Sequence, residues 1–225
     1  MRKNKNVSML RALLGIMICS PAIRMDMSLV FGLFMNTVYI ASNFASALLY
    51  RSVWATTVTA YHSLLFAIRI LLLNSRRRFE LGEIGHSHSR QVSLHVGVIM
   101  LLIDVSALFV MLRILRGESH TDYSGVLLLG FLIYTVYSLI SSVYGMFRWL
   151  NDNQYLHFAA VNLNLTTALM SLFNLQYSFL SSLGADSRVV LRVGEAGALL
   201  IFCVIILLSI HLIIKSRAPF YSQNS

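Results

Sequence analysis

The stretch VSLHVGVIMLLIDVSALFVMLRIL, from Val92 to Leu115, decides how this chain is read. Between Leu94 and Leu112 its one formal charge is Asp104. About 20 apolar residues wound as a helix cross the ~30 Å hydrocarbon core of a bilayer. A backbone in lipid must close its hydrogen bonds within the segment, so such a run is a helix and not an open strand. Comparable runs lie on both sides. The six spans expected are Met27–Leu49, Ser52–Leu73, Val92–Leu115, Gly125–Phe147, His157–Leu183 and Ala196–Ile214. The fold expected is all-α, a polytopic membrane bundle of six transmembrane helices.

Composition excludes the main alternatives. The chain has 225 residues, 57% hydrophobic and 12% charged, against about 25% charged in soluble domains. A formal charge of +9 would suit nucleic acid. Here the basic residues cluster between apolar runs, where membrane proteins carry their cytoplasmic anchors, so the partner is the bilayer and no nucleic acid. Arg2, Lys3, Lys5, Arg11, Arg24, Arg76, Arg77, Arg78, Arg90, Arg148, Lys215 and Arg217 fall on one side. They outnumber Arg51, Arg113, Arg116, Arg188 and Arg192 on the other. This bias puts both termini in the cytoplasm of a multi-pass protein of the cell membrane. Three regions follow: an interfacial amphipathic segment over 1–26, the transmembrane domain over 27–217 and a short cytoplasmic tail over 218–225. Arg11 interrupts the leading apolar stretch, which favours an interfacial helix over a cleaved signal. Cys19 and Cys203 have no metal or disulfide spacing and read as small apolar-tolerant residues.

A faint internal repeat is visible. Thr37-Val38-Tyr39 recurs as Thr135-Val136-Tyr137, 98 positions later. Asn36, Tyr39, Asn43, Ser46 and Tyr50 match Tyr134, Tyr137, Ser141, Tyr144 and Arg148 at that same offset. The 3-4-3-4 spacing lays each set along one helix face. Three spans per half is odd, so the halves would be an inverted 3+3 repeat, an arrangement common among transporters.

At these residues a resemblance emerges. Asn36 to Tyr39, Arg51-Ser52-Val53-Trp54, Ala60-Tyr61-His62-Ser63-Leu64-Leu65 and Arg69 resemble a family of uncharacterised small six-span integral membrane proteins of Gram-positive bacteria. Tyr134 to Tyr137, Ala168 to Leu172 and Leu175-Gln176 fit the same pattern. The resemblance covers most of the chain. It implies the topology and carries over no activity, cofactor or catalytic residue. Asp104 departs from it, standing where an uncharged amide is expected.

Asp104 is the most informative residue, since a carboxyl at mid-span costs on the order of 3 kcal/mol to insert and must face protein or water. It reads either as a proton- or cation-coupling group or as a neutral carboxyl bonded to a neighbouring helix. Arg69 is its possible charge partner, although so near the end of span two a long side chain is expected to snorkel to the headgroups. In span five, Asn164, Thr167, Ser171 and Asn174 line one face with Ser178. Such a row either lines a hydrated path or serves as interhelical glue. Asn36, Tyr39 and Asn43 of span one and Tyr137 and Ser141 of span four pose the same choice. Tyr61, His62 and His95 read as packing residues that a polar interior would also admit. Glu80, Glu83, His86 and His88 lie beside arginines that repel cations, so a solvated loop is expected and no metal.

No GxSxG, HExxH or P-loop occurs, and no nucleophile–base pair can be named. No enzyme and no cofactor is therefore expected. Both prolines, Pro21 and Pro219, lie outside the spans, so the helices should be continuous. The leading expectation is a small transporter or channel moving a small polar solute or ion between the two halves. The alternative is a non-transporting scaffold, immunity or regulatory subunit that binds a membrane protein partner or forms a homo-oligomer.

Overall fold

The computed structural model describes residues 21–115, 125–149, 155–182 and 187–217. The leading segment up to residue 20, with Cys19, and the tail from 218 lie outside them. The described residues form six helices and no strand: α1 Pro21–Tyr50, α2 Val53–Glu80, α3 His86–Leu115, α4 Gly125–Trp149, α5 Tyr155–Ser182 and α6 Ser187–Arg217.

Local chemistry explains the ends. Pro21 opens α1, where its fixed φ and missing N–H suit a first turn. Arg51 has a φ of +51°, a left-handed conformation that ends α1 and costs a non-glycine residue about 1–2 kcal/mol. Ser52 then caps α2, its hydroxyl accepting from Ala55 N at 3.3 Å. This two-residue joint folds α1 back on α2. Gly82, at φ +73°, takes the left-handed turn after α2. The helices overrun the apolar runs: α2 continues through Arg76, Arg77 and Arg78 to Glu80, and α3 already starts at His86. The arginines expected in a loop therefore stand on helix ends, joined by a short turn.

Among the described residues, five segments are long and apolar enough to cross a membrane: Leu29–Leu49, Val53–Glu80, His86–Leu115, Tyr155–Leu180 and Leu191–Arg217. At ~1.5 Å per residue, 28 residues span about 42 Å, more than the hydrocarbon core. The outer surface agrees, since Leu102, Phe109, Leu200 and Leu207 are 64%, 70%, 68% and 59% exposed. Such side chains in a row face lipid, and the chain reads as a multi-pass membrane protein.

The helices pair in a regular scheme. α1 packs on α2 as α4 packs on α5, α2 on α3 as α5 on α6, and α3 most extensively on α6. Small residues permit the closest approaches. A Cβ at Gly97 would sit 2.9 Å from Ile213 Cγ1, and one at Gly197 would meet the Gln176 amide at 2.8 Å. α5 lies at the centre, with 83% of its apolar stretch buried, against 28% to 39% for the other four segments. The main apolar core joins α2, α3, α5 and α6 through Leu65, Met100, Met111, Phe158, Phe173 and Phe202.

Candidate intramembrane polar site

α3 and α5 run in the same direction at a fixed register. At one end the Ser93 hydroxyl donates to Tyr155 O at 3.3 Å. At the other, Leu115 and Tyr177 both face Gly194 of α6. Asp104 lies midway between Ser93 and Leu115, and by the same count Thr166 of α5 is at its level. Asp104 is fully buried. Tyr61 Oη of α2 donates to its Oδ1 at 2.8 Å, and Ser209 Oγ of α6 donates to its Oδ2, also at 2.8 Å. Each carboxyl oxygen thus has one hydroxyl, and the two hydroxyls come from different helices. Thr166 is also fully buried, and its hydroxyl has no hydrogen-bond partner.

Arg69 is not bonded to Asp104, and it does not snorkel. It is 1% exposed and donates through Nη2 to Thr167 Oγ1 at 3.1 Å. Its guanidinium lies against α1 at Gly32, where a Cβ would fall among the guanidinium atoms. The direction is built into the helix. Cα–Cβ bonds lean toward a helix N-terminus, and for α2 that is away from the arginine-rich end and into the bundle. Arg69 and Thr167 are 98 positions apart, the offset separating the two Thr-Val-Tyr triplets.

α2 therefore separates two polar groups. Tyr61 turns toward α3 and α6, while His62, about 100° further round the helix, turns toward α1. The His62 ring stacks on Tyr39 with centroids 4.9 Å apart, and its Nδ1 lies 3.4 Å from Asn36 Oδ1. His62 Nε2 and Asn36 Nδ2 are buried without hydrogen-bond partners. An unsatisfied buried group of this kind costs about 1–3 kcal/mol. Tyr39 Oη approaches Thr135 of α4 at 3.5 Å, and Asn43 Nδ2 donates to Tyr39 O at 2.8 Å.

The polar row of α5 largely satisfies itself. Thr167, Ser171 and Ser178 donate to the carbonyls of Leu163, Thr167 and Asn174 at 2.8, 2.9 and 2.8 Å. Asn174 Oδ1 accepts from Trp54 Nε1 at 3.1 Å, and Asn164 is half-buried. Asn36, Tyr39, Arg69 and Thr167 thus meet between α1, α2 and α5, while Ser171 and Asn174 continue along α5. Tyr137, 59% exposed, and Ser141 lie on the outer face of α4, where Tyr137 meets Phe31 edge-on at 6.0 Å. The sequence reading missed Ser209. A serine between Leu208 and Ile210 carries no signal until α6 is placed against α3.

At the arginine-rich end, Arg76 pairs with Glu80 at 2.8 Å and Arg78 with Glu83 at 3.2 Å, and His86 packs edge-on against Phe79. Among the described residues no group of three or more His, Cys, Asp or Glu side chains could hold a metal. No protein-family model matches the chain, and neither the curated proteins nor the solved structures give a match.

Proposed function

We propose that the chain is a small six-span transporter or channel of the cell membrane, built as an inverted 3+3 repeat, in which Asp104 couples solute movement to a proton or small cation. One observation carries this reading. A carboxyl at mid-span is fully buried and receives one hydroxyl from each half of the chain, Tyr61 from the first and Ser209 from the second. Ionisable groups at that depth are expensive to insert and typically mark ion or proton pathways, and transporters place such sites between their repeats. The matching helix pairings support the repeat, as does the 98-position offset of Arg69 and Thr167. α4 would supply the sixth span. The solute would pass between the halves beside Asn36, Tyr39, Asn43, Asn164, Thr167, Ser171 and Asn174, while Tyr137 and Ser141, on the outer face of α4, stand outside that path.

The purified chain in proteoliposomes tests this. It should dissipate an imposed proton or sodium gradient, and Asp104→Asn should slow that at least tenfold. A hydrophobic carbodiimide should modify Asp104 in the intact protein. Equal leakage from wild-type, variant and empty vesicles, with no modified Asp104, would reject the proposal.

A second reading has its own support: a membrane subunit that binds a protein partner or a second copy. The α5 hydroxyls close onto their own backbone, as packing groups do. Tyr137, Tyr144 and Phe147 stand 59%, 58% and 75% exposed on one side of α4. Stoichiometric co-purification in mild detergent, lost on Tyr144→Ala, would favour it over transport.

A further inference from the structure

A cleft of about 240 Å³ opens at the arginine-rich end, between the first turns of α3 and the last turn of α6. It is lined by Ser87, Arg90, Gln91, Leu94, Ser216 and Arg217. Arg90 is held in place: Nε donates to Ser216 O at 2.6 Å and Nη2 to Arg217 O at 2.7 Å. These bonds satisfy carbonyls that the end of α6 would leave open. Ser216 is fixed in turn, donating to Ser93 Oγ at 2.9 Å. Among the described residues the Arg217 side chain has no hydrogen bond or ion pair, and no carboxylate lines the cleft.

We infer that this cleft binds a phosphate oxyanion, presented either by an anionic phospholipid headgroup or by a free phosphate. Arg217 and the uncommitted Nη1 of Arg90 supply planar charged donors, the arrangement that suits phosphate best. Ser87 and Gln91 add neutral donors. Ser87 also belongs to the opening turn of α3, whose backbone N–H groups favour an anion. Leu94 makes the deep wall apolar at the level where the membrane run of α3 begins, so an acyl chain could leave the cleft along lipid. Basic pockets between helices at this level bind anionic headgroups in other membrane proteins. The inference is independent of the transport reading, since it uses neither Asp104 nor the α1–α2–α5 cluster.

Native mass spectrometry on the full chain tests it, with phosphatidic acid, phosphatidylcholine and inorganic phosphate added separately. Phosphatidic acid should bind at least about fivefold tighter than phosphatidylcholine, and Arg217→Gln should remove about that factor, the worth of one basic residue at a membrane surface. Arg77→Gln, an exposed arginine off the cleft, should change nothing. Arg90→Gln should weaken binding further, read beside its melting temperature because it also uncaps α6. If inorganic phosphate binds with the same Arg217 dependence and displaces the lipid, the site takes the free ion. No preference for phosphatidic acid, or equal losses from Arg217→Gln and Arg77→Gln, would overturn the inference.

Discussion

α3 and α5 cross the bundle side by side in the same direction, and they carry polarity by opposite means. α5 spreads it over many weak groups. Thr167, Ser171, Ser178 and Asn162 each bond a carbonyl one turn back on their own helix. α3 concentrates it in Asp104, whose two bonds arrive from α2 and α6. A bond to the helix's own backbone survives when neighbours shift. A bond from another helix exists only in the assembled fold. α5 is thus polar but bonded largely to itself, whereas the middle of α3 holds one buried carboxyl whose bonds depend on the whole bundle.

The largest effect should come from stripping Asp104 of its donors. Tyr61→Phe combined with Ser209→Ala leaves a buried carboxyl unmatched and should cost about 3 kcal/mol in reversible unfolding from micelles. Adding Asp104→Leu to that pair should restore most of the loss. If it restores nothing, the hydroxyls matter for some reason other than the carboxyl, and the contrast between the helices fails. Next comes the opposite side of the same dependence. Gly97→Leu should cost about 2 kcal/mol by overpacking, because Ile213 and Leu212 already stand 2.9 and 3.3 Å from where its Cβ would be. The smallest effect belongs to α5. Ser171→Ala should cost no more than about 0.6 kcal/mol in the same assay, and a loss as large as that of the Asp104 donors would reverse the comparison.

Much of the architecture was legible in the sequence. Apolar runs of membrane length fix the helices, since nothing else closes a backbone in lipid. Helix ends were less legible, because Arg76 to Arg78 and His86 to Arg90 are as compatible with an exposed helical turn as with a loop. Asp104 was conspicuous as the lone charge in its run, but its partners were not. Ser209 lies 105 positions away, and only the packing of α3 on α6 reveals it. Arg69 was misjudged because snorkelling considers reach alone, whereas the tilt of the Cα–Cβ bond and the missing side chain at Gly32 decide its direction. The 98-position offset was visible in two triplets, but that it also separates Arg69 from Thr167 required the fold. The spread of Asn and Thr along α5 left a hydrated path and interhelical glue both open, and the structure puts that helix at the centre with Thr167, Ser171 and Ser178 bonded to its own backbone.

The central position of α5 bears on how the protein is made. α5 leaves the ribosome before α6, and its apolar stretch has a mean hydropathy of 1.3 against 2.9 for that of α6. The least greasy of these two consecutive segments must therefore enter the membrane first, before its later neighbour exists to cover it. Hydroxyls tied to their own backbone make that interval tolerable, since α5 presents few open donors to lipid or translocon while it waits. Insertion of a truncated chain ending after α5 would thus rest on the chemistry of a single helix, ahead of any tertiary contact with α6.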